Sequence, residues 1–91
     1  MSDPVWRRRP DVLWRRSLDA VILLPEDAED PFHLVGTGPD VWDLLAEPRT
    51  LDALVALLVT MYDADSNVVR SDVAPVLDRL VEAGVLERID V

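Results

Sequence analysis

Chemistry needs side chains that carry protons or metals at workable spacing, and this chain offers few of them. Its one histidine is His33, and cysteine is absent. A zinc centre takes three or four nitrogen, sulfur or oxygen ligands grouped at short intervals, and a lone imidazole does not begin such a set. Ser17, Ser66 and Ser71 lie in no activated-nucleophile motif such as G-x-S-x-G, and only His33 could serve any of them as a base. The stretch Pro25-Glu26-Asp27-Ala28-Glu29-Asp30-Pro31 is rich in carboxylates. It lacks the alternating oxygen ligands, central glycine and closing glutamate of an EF-hand loop. Gly36 and Gly38 begin like a dinucleotide fingerprint, yet the third glycine of G-x-G-x-x-G is replaced by Val41. The sequence therefore predicts no catalytic residue, no metal and no cofactor, and the expected activity is binding.

Bulk properties narrow the partner. Ninety-one residues, 49% of them hydrophobic, suffice for one domain with its own core but not for a cleft between domains. Without cysteine there are no disulfide staples, so stability has to come from packing. No apolar run is long enough to span a membrane, and the arginine-rich start lacks the apolar stretch of a signal peptide, so a cytoplasmic location without membrane contact is expected. The net charge is −9. Residues 1–16 hold five arginines against Asp3 and Asp11, a local +3 that leaves −12 on the remainder. An acidic body repels phosphate, which excludes nucleic acid as the expected ligand. The basic start reads either as a solvated flank or as a docking surface for an acidic segment.

The elements that would position a binding site follow from periodicity. Residues 1–11 read as a flexible basic arm, with Val5 and Trp6 tacked onto a domain spanning 12–91. Val12–Arg16 and Ala20–Leu24 form a predicted hairpin around Ser17-Leu18-Asp19, and the second run, apolar throughout, either has both faces covered or lies centrally in the sheet, which makes it the predicted middle strand. The acidic loop leads to a third strand, Phe32–Val35, at the sheet edge. Gly36 to Asp40 then turn the chain into a first helix, where Thr37 and Asp40 have capping-box spacing. Pro48 stops that helix, Thr50 caps a second one with a stripe of Leu51, Leu54, Val55 and Leu58, and Asp65 or Ser66 starts a third. In the third helix Val69, Val73, Val76 and Leu80 form the apolar stripe, flanked by Asp72 and Arg79 on one side and by Leu77 and Val81 on the other. A kink at Pro75 and a stop at Gly84 are expected.

The predicted class is α+β and winged helix-turn-helix-like: a three-stranded antiparallel β-meander followed by three α-helices. In such folds the last helix often reads DNA, but here Arg70 and Arg79 face Asp65, Asp72, Asp78 and Glu82, a net −2. What remains is a groove between the edge strand and the third helix, where an extended peptide could add itself as a further strand.

Several pieces in fixed order resemble the PqqD-like proteins, also called precursor-peptide recognition elements. They are Val21-Ile22-Leu23-Leu24, Leu34-x-x-Thr37-Gly38, Val41-Trp42-x-Leu44-Leu45, Arg49-Thr50-Leu51, Tyr62, and Asp72-Val73-x-x-Val76-Leu77-x-x-Leu80-x-x-x-Gly84-Val85-Leu86. Val35 stands where that family often has asparagine, and Val76 where it often has phenylalanine. The resemblance implies a module, not itself an enzyme, that captures the leader segment of a ribosomally made precursor peptide. By that resemblance the leader pairs with Phe32, His33, Leu34 and Val35 and packs on Val69, Asp72, Val73, Val76 and Arg79. The short length and the Arg-Arg-Arg-Pro-Asp-Val-Leu-Trp-Arg opening are most similar to the recognition protein of split lasso-peptide systems. Such proteins hand the leader to a separate cysteine-protease-like leader peptidase and a cyclase. A radical SAM enzyme as partner, as in quinone-cofactor synthesis, and a winged-helix DNA-binding regulator are the alternatives.

Overall fold

The computed structural model describes residues 3–26 and 28–90; Met1, Ser2, Asp27 of the acidic loop and Val91 lie outside that description. Among the described residues six strands and three helices follow one another in an α+β arrangement: β1 (Val5–Arg8), β2 (Leu13–Ser17), β3 (Ala20–Leu24), β4 (Phe32–Leu34), α1 (Gly38–Leu44), β5 (Arg49–Thr50), α2 (Leu51–Tyr62), α3 (Ser66–Glu82) and β6 (Leu86–Ile89).

The expected meander is present, as an antiparallel sheet of order β2-β3-β4 with β3 in the middle and β4 at an edge. Its register pairs Leu13 with Leu24, Arg15 with Ile22, Val21 with Leu34 and Ile22 with His33. Residues paired this way share a face, so Val21, Leu23 and Leu34 point to the helices while Leu13, Arg15, Ile22, Leu24 and His33 point outward. Of the two readings of the all-apolar run, the central position in the sheet is the one observed, and cover on both faces is not. Val21 and Leu23 are buried, whereas Ile22 and Leu24 are only half-buried.

A second sheet, of order β5-β1-β6, was not expected. Residues 1–11 read as a loose arm, but Val5–Arg8 form its central strand, paired with Arg49 and Thr50 on one side and with Leu86 to Ile89 on the other. The physical reason lies in burial: Trp6 enters the core, and Arg88 lies over its ring at 5.5 Å. Both partner strands are distant in sequence, so no local pattern announces the pairing.

The helices follow their caps. Thr50 accepts a hydrogen bond from the Ala53 N–H at 3.1 Å, and Asp65 accepts one from the Asn67 N–H at 2.8 Å, which makes Asp65 the cap of α3. Pro75 sits inside α3, and Gly84, just past its end, takes a positive φ. The capping box of Thr37 and Asp40 does not form. Thr37 already has helical backbone angles and makes no side-chain cap, whereas a capping residue needs the extended region. Trp42, Leu45, Leu54, Leu58, Leu77 and Leu80 are the large, fully enclosed side chains at the centre of the core. Truncating one such leucine to alanine typically costs about 2–5 kcal/mol.

Candidate functional site

The site begins with β4. It hydrogen-bonds β3 along one edge and, as the last strand in its sheet, has no strand on the other among the described residues. An uncovered edge offers N–H and C=O groups in the spacing a further strand needs. Its chain then has to leave the sheet sharply. Gly36 does this with φ +66°, in the left-handed region, and the Gly38 N–H donates to the Val35 carbonyl at 3.2 Å. A Cβ on Gly38 would lie 3.1 Å from Leu34 Cδ2, so the start of α1 can press on β4 only because no side chain intervenes. Both glycines are therefore accounted for by the turn, without a phosphate.

Helix α1 is held in place from the opposite side. The Arg8 guanidinium lies 4.5 Å from the Trp42 ring centroid and 4.9 Å from that of Trp14, and its Nε and Nη2 donate to the Trp42 carbonyl at 3.0 and 2.6 Å. Burial lowers the Arg8 pKa and Asp43 opposes that effect, but a guanidinium keeps its proton in proteins. Arg16 adds a two-pronged bond to Asp43 at 2.5 and 2.7 Å. Together these contacts fix β1, β2 and α1 as one frame behind the turn.

Helix α3 forms the second wall. Val69, Val73, Leu77 and Leu80 are its buried residues, so the inward face is centred closer to Leu77 than the stripe through Val76 implied. Val76 is left half-buried at the edge of the core, with Asp72 and Arg79 exposed beyond it. At the head of α3 lies an apolar hollow of about 190 Å³, lined by Thr37 from the turn, Leu58 and Tyr62 from α2, Ala64, and Val68, Val69, Asp72 and Val73 from α3. The Tyr62 hydroxyl, at the wall of this hollow, donates to Asp40 and so ties the end of α2 to α1. Desolvation first, and then the Asp40 carboxylate, push the Tyr62 pKa up to about 12.

Of the residues expected to bind, Val69, Asp72 and Val73 come together in this hollow. Phe32, Leu34 and Val76 meet in the same core but expose unequal amounts: Leu34 is buried, while Phe32 and Val76 each keep an accessible part. His33 points its side chain to the outer face of the sheet, leaving its backbone as its share of the edge. Val35 is 70% exposed in the turn beyond the strand, and Arg79 is exposed farther along α3, outside the lining of the hollow. Thr37, Tyr62, Ala64 and Val68 line the hollow without having been singled out as binding residues. Val68 carried a usable signal, since it falls one turn before Asp72 and is 56% exposed despite being apolar.

Residues 20–86 match the family model described as Coenzyme PQQ synthesis protein D (PqqD). Among solved structures, the one titled "TbiB1 in Complex with the TbiA(beta) Leader Peptide" is similar over 89% of this chain and 94% of its own, with a TM-score of 0.79 and 26% sequence identity. No curated protein matches the chain in sequence.

Proposed function

The chain belongs to the PqqD family, and from that premise we propose that it binds the leader segment of a ribosomally synthesised precursor peptide. The leader adds as a strand to the open edge of Phe32–Leu34 and packs side chains against α3 between Val69 and Arg79, with the hollow at the head of that helix as its deepest pocket. The observation that carries this reading is the similarity to TbiB1, a protein solved with a leader peptide, in a chain whose β4 edge is uncovered. Backbone pairing supplies affinity that tolerates sequence change, and apolar side chains seated on α3 supply selection. Asp72, Asp78 and Glu82 on the exposed side of α3 make that helix a poor reader of duplex DNA.

The role is presentation, with the chemistry carried out by partners: a separate cysteine-protease-like leader peptidase and a cyclase, as the likeness to split lasso-peptide systems suggests. No helix among the described residues is long and apolar enough to cross a membrane, and the cytoplasm, where precursor peptides are made, is the proposed place of action. The recognition unit is taken to include β1, extending the expected 12–91 domain toward the start of the chain.

Isothermal titration with a synthetic leader from the adjacent precursor gene tests the reading. Micromolar or tighter binding is expected. Absence of heat, together with no competition between that leader and a labelled copy, would overturn it.

A further inference from the structure

Binding at β4 leaves the other side of the same sheet unused, and that side is not inert. All five residues of β2 are exposed. The outward side chains Leu13, Ile22 and Leu24 surround a shallow hollow of about 180 Å³ that Arg15 and Trp14 complete. Leu13 is 71% exposed. At the tip of the hairpin Leu18 is 95% exposed and holds φ +56°, a conformation that asparagine or glycine adopts with less strain. A leucine there neither packs on this chain nor eases its turn.

Charge adds a direction. The chain has twice as many carboxylates as arginines, yet Arg15 has no ion-pair partner among the described residues. Its neighbour Arg16, on the inner face, is paired with Asp43. The Trp14 ring turns to the inner face, towards Arg8 and Trp42, so the outer patch is an unpaired guanidinium set among exposed aliphatic side chains, and arginine on an apolar patch is the make-up of an interface. Two copies of this chain joined edge to edge about the middle of β2 would bring Arg15 against Arg15, which opposes self-association there.

We infer that the outer face and tip of the β2–β3 hairpin dock a second protein. That protein presents an apolar surface carrying a carboxylate opposite Arg15, and it works on the leader held at β4. The inference rests on the leader-binding reading for the identity of that protein, the leader peptidase. Because β2 and β4 are opposite edges of one sheet, both partners fit at once, and the sheet becomes a rigid spacer between them.

The test uses the full chain, a synthetic leader and purified leader peptidase of the same pathway, titrated separately and then together. Arg15→Glu and Leu18→Asn are the variants. Leu18→Asn removes the exposed leucine while easing the turn, so its melting temperature should hold or rise, which separates docking from folding. The expected result is a tenfold or greater loss of peptidase affinity in both variants, with leader affinity within twofold of the parent chain. Unchanged peptidase affinity, or no peptidase binding by the parent chain with or without leader, overturns the inference. Loss of leader affinity in the hairpin variants overturns it too, by making β2 the leader edge. Sedimentation of the parent chain as a dimer that Arg15→Glu dissolves overturns it in favour of self-association. If the leader fails to bind the parent chain, the functional reading falls on its own, and the peptidase titration still decides the hairpin.

Discussion

Two valines on α3 separate side chains that meet a guest from side chains that hold the fold. Val69 is 6% exposed and Val76 is half-buried at the rim, although both belong to one apolar stripe in the sequence. Val76→Glu places its carboxylate at the rim, where it reaches water, and should weaken leader binding at least tenfold with little change in melting temperature. Val69→Glu buries an unpaired charge and should destabilise the domain by several kcal/mol, as should Leu54→Glu in α2. Circular dichroism melts and leader titrations on the three variants check this, and equal melts for Val69→Glu and Val76→Glu would refute the placement. Tyr62 allows a pH test. Its folded pKa is raised from 10.0 to about 12, so the hydrogen bond to Asp40 adds stability that is complete below pH 10 and is lost as pH rises through about 12. The ring is partly exposed, which keeps the effect to about 1 kcal/mol or less. Tyr62→Phe should therefore lower stability by that amount at pH 8 and flatten its decline between pH 10 and 12, as read by urea denaturation at a series of pH values.

At the scale of elements, Pro75 is where local preference and tertiary context disagree. Proline inside a helix removes one N–H and crowds the carbonyl four residues earlier, here that of Ser71, yet α3 runs unbroken from Ser66 to Glu82. Buried contacts at Val69, Val73, Leu77 and Leu80 on both sides of Pro75 outweigh the defect. Pro75→Ala should raise stability by about 1–3 kcal/mol, which for a domain of this size is a rise of roughly 4–8 °C per kcal/mol in a thermal melt. A leader titration on the same variant then shows whether the proline also shapes the groove. The sequence made these elements legible wherever their cause is local. Thr50 and Asp65 are caps, Gly36 and Gly84 are breaks, the unbroken apolar run of β3 marks the middle strand, and the stripes of α2 and α3 are periodic. It was silent where the cause is distant. The capping residue of α1, the rotation of α3 toward Leu77 and the company of Asp40 with Tyr62 are all set by how helices meet. The same division runs through the hollow at the head of α3. The valines of α3 announce themselves by spacing, whereas the hollow at its head exists only where Thr37, Tyr62 and Val68 are brought together from three elements.

For the whole molecule, the open question is where the folding unit begins. The family match starts at residue 20 and so omits β1 and β2, and the basic composition of residues 1–16 reads as an appendage. The structure makes that stretch a load on both halves of the protein. β1 is the middle strand of its sheet, so without it β5 and β6 have no strand between them. Trp6 is part of the core, and Arg8 joins β1 to Trp14 of β2 and Trp42 of α1. Removing a buried tryptophan side chain costs about 3–5 kcal/mol, against total stabilities of about 5–15 kcal/mol for natural domains. Deleting residues 1–9 should therefore leave a chain that is largely unfolded at 37 °C, and Trp6→Ala alone should lower the melting temperature by more than 10 °C. A loose arm would make both changes silent. Melts of the deletion, of Trp6→Ala and of Arg7→Ala, whose pairing with Glu87 is exposed and worth little, distinguish the two cases. If the deletion melts within 2 °C of the full chain, β1 is an ornament and the domain begins at β2; if only Arg7→Ala is silent, β1 belongs to the fold that presents the β4 edge.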